Sequence, residues 1–255
     1  MALPRFFCPV HISTDEIVEL PGGVAHHASR VLRLEPGAQL VLFNGKGGEF
    51  QGVIERIDRN GAAVLVKKYF NTERESPLAV TLAQAACASE KMDWIVQKGV
   101  ELGVSRIQIL TTKRSIIKLS HERAEKRARH WQQVAISACE QCGRNRVPQV
   151  PPLASLPGWL GTEMDGRENS RNGVSPNLYF VLSPEAKKGL RDFQQSSPIS
   201  SITLLVGPEG GLTPDEEAAA VVAGFIPLGL GPRIFRVETA ALAAVAAMQA
   251  FWGDY

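Results

Sequence analysis

The sequence lacks a hydrophobic run that is long enough to cross a membrane. Its longest apolar stretch, residues 240–248, covers about half of the roughly twenty residues that a spanning helix needs. Near the amino terminus the apolar residues are interrupted by Pro4 and Pro9, so no secretory signal is recognisable there. These absences predict a cytoplasmic protein.

Cysteine is scarce, and the net charge is small. Four cysteines in 255 residues are too few for a disulfide framework in a chain of this length. Cys139 and Cys142 form one C-x-x-C pair, but a zinc ribbon needs a second pair, so we expect no metal site. The formal net charge of +2 excludes a generic polycation, and a nucleic-acid surface would therefore be a local basic patch.

The phosphate-binding motifs of two large enzyme classes are also missing. No G-x-x-x-x-G-K-[ST] string occurs, which argues against a P-loop nucleotidase. Gly229 and Gly231 have the first spacing of a dinucleotide fingerprint, but Ile234 stands where a glycine or alanine is needed. Nucleotide hydrolysis and hydride transfer are therefore disfavoured.

Hydrophobic patterning divides the chain into two parts. Three alternating apolar segments within residues 39–69, joined by Asn-Gly turns, predict a small antiparallel sheet or barrel. Residues 71–77 are polar and end in a proline, which is typical of a domain boundary. Beyond them strands and helices alternate, which predicts a mostly parallel α/β sheet with helices on both faces. We therefore predict domains at residues 1–72 and 78–255.

Shorter segments also carry predictions. Residues 26–33 read as a helix in the first domain, and residues 161–176, rich in Gly, Asn and Ser, read as a surface loop. Thr213 and Glu216 have the spacing of a capping box at the start of a helix.

Two glycine-rich loops follow directly on predicted strands. One is Gly207-Pro-Glu-Gly-Gly211, and the other lies within residues 228–236. Ligands of parallel sheets bind at the carboxyl ends of strands, and glycine lets backbone amides approach a ligand closely. One such loop could be no more than a tight turn, but two in one domain favour a ligand site. Since the phosphate motifs are missing, the expected ligand is held by backbone amides and apolar walls.

Three motifs resemble the RsmE family, the 16S ribosomal RNA uracil-N3 methyltransferases of the SPOUT class: Gly207-Pro-Glu-Gly-Gly211, Gly231-Pro-Arg-Ile-Phe-Arg-Val-Glu-Thr-Ala240 and Ala138-Cys-Glu-Gln-Cys-Gly-Arg-Asn-Arg-Val-Pro148. The resemblance extends over essentially the whole chain. It implies a PUA-like RNA-binding β-barrel, followed by a SPOUT-type α/β domain with a deep trefoil knot, which is an exception to the rule against knots. It further implies a homodimer that uses S-adenosylmethionine.

By position, the resemblance also implies which residues hold the cofactor. They lie after the strand that ends at Leu182 and in the two glycine-rich loops. The expected cofactor-binding residues are Leu182, Gly207, Pro208, Glu209, Gly210, Leu228, Gly229, Leu230, Gly231 and Ile234.

The chemistry implied by the resemblance singles out three further roles. Uracil N3 carries a proton at neutral pH, so the enzyme needs a general base or a cation that stabilises the developing anion. We expect Arg236 to supply the cation, and Glu209 or Glu238 to orient it or accept the proton. The alternative is that Arg236 forms a structural salt bridge with Glu238.

The target base must be unpaired or flipped out, because N3 lies on its Watson–Crick edge. That need explains an RNA-holding domain. The predicted RNA-binding residues are Arg5, Arg30, Arg33, Lys91, Arg114, Arg144 and Arg146. Arg30 and Arg33 are expected on one helical face, whereas the basic stretch 113–129 reads mainly as a solvated helix face.

The expected function is methylation of N3 of a single uridine in 16S ribosomal RNA, on the 30S subunit. Two alternatives stay open at this point. One is a noncatalytic RNA-binding assembly factor, which the intact loops argue against. The other is a methyltransferase of the same class with a different RNA target.

Overall fold

The computed structural model describes residues 3–59, 61–115, 121–169, 177–193 and 199–255. The chain divides into two compact units. Unit 1 comprises Met1–Glu75 and Ile136–Val147, and unit 2 comprises Ser76–Ala135 and Pro148–Tyr255. The polar segment 71–77 contains the first of these divisions. The sequence gives no sign, however, that residues 136–147 group with the amino-terminal unit.

Unit 1 contains a five-stranded sheet. In chain order its strands are β1 (Arg5–Phe7), β2 (Ile17–Glu19), β3 (Gln39–Phe43), β4 (Glu49–Asp58) and β5 (Gly61–Phe70). Their order in the sheet is β1-β3-β4-β5-β2, and each pair is antiparallel except β1 with β3. The predicted β3, β4 and β5 are confirmed. The sequence analysis missed β1 and β2, because three residues are too few to show a period.

The core of unit 1 is built from alternate residues of its long strands. Phe50 and Ile54 of β4 and Val64 and Val66 of β5 are buried, since a period of two puts one face of each strand inside. Before β3 lies a short helix α1 (Gly22–His26), which continues as one π-helical turn. The helix predicted over residues 26–33 therefore begins and ends earlier than expected.

Unit 2 contains a six-stranded sheet in which every pair of neighbours is parallel. Its strands are β6 (Ala79–Ala85), β7 (Val104–Thr111), β8 (Ala154–Ser155), β9 (Asn177–Leu182), β10 (Ser201–Val206) and β11 (Ile226–Leu228). Their order is β11-β9-β10-β6-β7-β8. The predicted mostly parallel α/β sheet is confirmed, and β11, β9 and β10 end side by side at one edge.

Helices follow most of these strands. They are α2 (Ser89–Glu101), α3 (His121–Cys142), α4 (Leu156–Asn169), α5 (Pro214–Val222) and α6 (Val237–Trp252), with a 3-10 turn at Leu190–Phe193. Helix α6 packs on α2, β6 and β10. The predicted capping box of α5 is confirmed, since Thr213 Oγ1 accepts a hydrogen bond from Glu216 N at 3.3 Å and Glu216 Oε2 accepts one from Thr213 N at 2.9 Å. None of the described helices is long and apolar enough to cross a membrane.

The prediction of a surface loop over residues 161–176 is wrong for residues 161–169. Residues up to Asn169 continue helix α4, and residues 170–176 lie outside the described part of the chain. Glycine disfavours helix, but Trp159 and Leu160 are buried in the core of unit 2. The Trp159 ring lies 5.8 Å from that of Phe225, so tertiary packing outweighs the local propensity.

Candidate functional site

Three loops meet at the carboxyl edge of the sheet in unit 2. They follow β9, β10 and β11, which are adjacent and parallel. Ser183 N after β9 donates to Leu228 O at 3.1 Å, and Gly229 N after β11 donates to Lys188 O at 2.9 Å. The loops predicted to hold a ligand are therefore neighbours, and two of them are joined by backbone hydrogen bonds.

Two glycines of these loops are required by backbone packing. A Cβ on Gly229 would lie 2.8 Å from Ala186 O, and one on Gly207 would lie 2.9 Å from Leu212 N. Backbone atoms at these distances could move aside only at a substantial cost in free energy. Gly231 differs, because it has a φ of 96° and nothing lies within 4 Å of the position of its missing Cβ. Gly207 and Gly229 thus shape the loops, whereas Gly231 combines a left-handed conformation with open space.

The other expected cofactor-binding residues differ in how much of them a ligand could reach. Leu228 and Pro208 are buried, so neither presents its side chain at the surface of the loops. Leu182 and Leu230 are half-buried, Gly210 is exposed, and Ile234 is 88% exposed. The edge therefore offers mainly backbone groups, with one protruding apolar side chain. This arrangement suits a ligand that is held by amides and apolar contacts.

Glu209 is anchored to the beginning of α2. Its Oε1 accepts a hydrogen bond from Ala88 N at 3.1 Å and lies 3.4 Å from Lys91 Nζ. Partial burial alone raises the pKa of Glu209, but the Ala88 N–H and the Lys91 ammonium outweigh it, so the pKa lies below its ordinary value. Glu209 is therefore a poor base. Its contacts with Ala88 and Lys91 hold the loop after β10 against the beginning of α2.

Lys91 also reaches the start of α6. Its Nζ lies 3.6 Å from Glu238 Oε2, an oxygen that is buried and has no hydrogen-bond partner in the described part of the chain. The ammonium thus lies between two carboxylates from two different elements. Nearby, burial raises the pKa of Cys87 to about 12, so this thiol stays protonated and is no nucleophile at neutral pH.

Arg236 is the N-cap residue of α6 and is exposed. It makes no ion pair or side-chain hydrogen bond with any of the residues that the structure describes. The alternative of a salt bridge to Glu238 is therefore not found, because Glu238 pairs with Lys91 instead. Arg236 is left as an uncompensated cation beside the three loops.

Arg114 contacts the loop that follows β10. Its Nη1 donates to Gly210 O at 2.8 Å and to Leu212 O at 3.2 Å. The neighbouring Lys113 N donates to Glu216 Oε1 at 2.7 Å. Arg114 was predicted to bind RNA, and in this structure its guanidinium holds a loop of the ligand site.

Two further predicted RNA-binding arginines lie inside unit 1. Arg5 pairs with Glu49 at 2.5 Å and donates to Asn145 Oδ1 at 2.7 Å, and its side chain is only 13% exposed. Arg144 forms a bidentate pair with Glu75 and is 5% exposed. Burial lowers the pKa of Arg144, but Glu75 raises it by more, so the guanidinium stays charged. These placements favour a structural role for both residues over direct contact with RNA.

The remaining basic candidates are accessible. Arg146 pairs with Glu73 but its side chain is 54% exposed, and Arg30 and Arg33 are exposed. The expectation that Arg30 and Arg33 share one helical face is wrong. The helical turn ends at Val31, and Arg33 has a left-handed φ of 52°.

The sequence analysis missed Gln84, which is fully buried at the end of β6. Its Nε2 donates to Ala85 O at 2.9 Å and to Gly207 O at 3.4 Å, so it supports the first residue of a predicted ligand loop. A glutamine within an otherwise apolar strand is a signal that could have found it. In the described residues no group of three His, Cys, Asp or Glu side chains could hold a metal, and all four cysteines are free.

Two protein-family models match the chain. The RNA methyltransferase domain family matches residues 74–249, and the RNA methyltransferase PUA domain family matches residues 20–67. Together with the parallel sheet and its three loops, these matches define a two-domain enzyme of the RNA methyltransferase class. The chain belongs to the family of ribosomal RNA small subunit methyltransferase E.

Similarity to individual relatives covers almost the whole chain. The Bacillus subtilis member of this family is 31% identical over 96% of this chain and 96% of its own length. The Buchnera aphidicola (Schizaphis graminum) member is 30% identical over 99% of this chain and 98% of its own.

Two solved structures are similar in fold as well as in sequence. The Neisseria gonorrhoeae ribosomal RNA small subunit methyltransferase E, bound to S-adenosylmethionine, superposes with a TM-score of 0.87, at 38% identity over 100% of both chains. A Legionella pneumophila methyltransferase in complex with the same cofactor gives a TM-score of 0.90, at 36% identity over 100% of both chains.

Proposed function

We propose that this protein transfers a methyl group from S-adenosylmethionine to N3 of one uridine in 16S ribosomal RNA, on the 30S subunit. The observation that carries the proposal is the meeting of three loops at one sheet edge, beside an unpaired arginine. Relatives that are similar along their full length are named ribosomal RNA small subunit methyltransferase E. Two similar solved structures, one of which carries that name, hold S-adenosylmethionine.

The cofactor is held by the three loops. Leu182 and residues 207–210 and 228–234 supply backbone groups and the apolar side chain of Ile234. Gly207 and Gly229 allow the loops to close, and Glu209 ties the second loop to Ala88 and Lys91. Bound there, S-adenosylmethionine supplies an electrophilic methyl group. The trefoil knot that the resemblance implies is part of this proposal.

Arg236 stabilises the negative charge that develops on a uracil oxygen as N3 loses its proton. Its guanidinium is exposed and has no competing partner among the described residues, so it can meet the base directly. Glu209 or Glu238 orients Arg236 or accepts the proton. Glu238 Oε2 is buried beside the Lys91 ammonium, whereas Glu209 Oε1 accepts the Ala88 N–H.

The PUA-like unit 1 binds the RNA, with Arg30, Arg33 and Arg146 as its accessible arginines. The protein acts as a cytoplasmic homodimer. Helices α2 and α6, which pack together, each carry one large exposed hydrophobic side chain, Trp94 and Phe251, and a second copy that covers them would remove both from water. Sedimentation velocity tests the dimer, since a monomer at micromolar concentration would contradict it.

The activity is tested with 30S subunits that lack the modification. The subunits are incubated with the protein and radiolabelled S-adenosylmethionine, and the RNA is then digested to nucleosides. Label in 3-methyluridine is the expected result. Label in another nucleoside would show a different target. A protein that neither transfers the methyl group nor binds S-adenosylmethionine in calorimetry would be a noncatalytic assembly factor.

Substitution of Gly229 by alanine is expected to weaken cofactor binding by about tenfold or more, because forcing a methyl group into a filled space costs about 1–3 kcal/mol. The new Cβ would lie 2.8 Å from Ala186 O, so the loop after β9 or β11 would have to move. Isothermal titration with S-adenosylmethionine measures the effect. Gly161→Ala is the control, since its Cβ would have no neighbour within 4 Å. Equal affinities for the two variants would contradict the prediction.

A further inference from the structure

Lys91 lies between two acidic side chains. Its ammonium is near two carboxylates, at 3.4 Å from Glu209 Oε1 and 3.6 Å from Glu238 Oε2. These come from the loop after β10 and from the first turn of α6. All three side chains are mostly covered, with exposures of 31%, 25% and 19%. Because two carboxylates of the protein balance the charge of this ammonium, Lys91 attracts an RNA phosphate only weakly.

The two carboxylates depend on Lys91 for their charge balance. No other ion pair of Glu209 or Glu238 exists among the described residues, although Glu209 also accepts the Ala88 N–H. Glu238 Oε2 is buried and lacks a hydrogen-bond donor. Arg236, two positions before Glu238, is exposed and unpaired in the described chain. A buried carboxylate without a counter-ion is strongly unfavourable, so Glu238 would recruit Arg236 if Lys91 were missing.

We propose that Lys91 is a positioning residue that neutralises Glu209 and Glu238, and thereby keeps the guanidinium of Arg236 free for the substrate. The inference rests on the proposed catalytic role of Arg236. It explains why two acidic residues can lie next to a site where negative charge must develop. The four side chains sum to zero charge, whereas loss of Lys91 alone would leave an excess negative charge that opposes the uracil anion.

The test compares Lys91→Met, which removes the charge at similar length, with Lys91→Arg, which keeps it. The first measurement needs no activity. A dicarbonyl reagent such as phenylglyoxal modifies arginine, and mass spectrometry gives the rate at each position. Arg236 of the Lys91→Met variant is expected to react at least about threefold more slowly than in the wild type, because a carboxylate now covers it. The exposed Arg233 is the internal control, and its rate should not change.

The second measurement is kcat for methyl transfer. We expect Lys91→Met to lower kcat at least about tenfold and Lys91→Arg to restore most of it, since the effect comes from charge. The double variant Lys91→Met, Glu238→Gln should return the labelling rate of Arg236 to the wild-type level, because the competing carboxylate is gone.

Two outcomes would overturn the inference. One is an unchanged labelling rate of Arg236 in Lys91→Met, and the other is slow labelling that persists in the double variant. Failure of the proposed catalytic role of Arg236 is distinguishable, because it would show as full turnover by Arg236→Ala and would not affect the labelling rates measured in the Lys91 variants.

Discussion

Replacing Arg236 by alanine is expected to lower kcat for methyl transfer by about two to three orders of magnitude, the usual loss when one preorganised donor is removed from a developing anion. The physical reason is that N3 becomes nucleophilic only when its negative charge is stabilised, and Arg236 is an exposed cation with no partner in the described chain. Single-turnover assays on unmodified 30S subunits measure the chemical step. Calorimetry should show that affinity for S-adenosylmethionine is largely retained.

Arg233→Ala is the matched control for this substitution. Arg233 lies three positions earlier and is also exposed, so its substitution removes the same charge from the same loop. If the loss reflected only weaker attraction of RNA, both variants would raise KM to a similar extent and leave kcat alone. If Arg236→Ala keeps the wild-type kcat, Arg236 has no catalytic role. The proton acceptor would then be the main source of rate acceleration.

Five of the six strands of unit 2, all except the two-residue β8, and the loops at their ends could be predicted from the sequence. Continuous apolar runs identify buried parallel strands, and a glycine directly after a strand indicates a tight approach. The reason for two of the glycines was different from the one expected. Gly229 is needed because Ala186 O of the loop after β9 would lie 2.8 Å from its Cβ, and Gly207 because Leu212 N of its own loop would lie 2.9 Å from its Cβ. The sequence shows that a loop needs glycine, but it does not show what the loop packs against.

The roles of the basic residues were harder to predict, because the sequence shows a charge without its partner. Arg144 and Glu75 are 69 positions apart, and nothing local indicates that they meet. Lys91 and Arg114 likewise contact groups that folding brings from other elements. An arginine count therefore overstates the number of cations that are available to RNA.

The grouping of residues 136–147 with the amino-terminal unit was also missed because it depends on contacts between residues that are far apart in the sequence. Helix α3 continues to Cys142 with no break in its pattern, so the sequence predicts one helix in one domain. What ties its end to unit 1 is a set of specific polar contacts. Phe7 N donates to Glu140 Oε1 at 2.9 Å, and Asn145 Nδ2 donates to Thr72 O at 2.8 Å.

Arg144→Met is expected to destabilise unit 1 by about 3–5 kcal/mol, the usual cost of leaving one partner of a buried ion pair without the other. The guanidinium is 5% exposed and Glu75 is 19% exposed, so water cannot take over the lost contacts. Urea denaturation followed by circular dichroism, with hydrogen exchange to locate the effect, measures the free energy of unfolding.

The neighbouring Arg146 provides the comparison that separates stability from RNA binding. It also pairs with a glutamate of the same segment, Glu73, but both side chains are largely exposed, at 54% and 38%. Arg146→Met should therefore lower the free energy of unfolding by less than about 1 kcal/mol.

A second variant tests whether the buried ion pair itself is the cause. Glu75→Met added to Arg144→Met should recover much of the lost free energy of unfolding, because an apolar pair can replace a buried ion pair. If Arg144→Met instead leaves stability unchanged and weakens binding to the 30S subunit, its guanidinium contacts RNA, as the sequence first predicted.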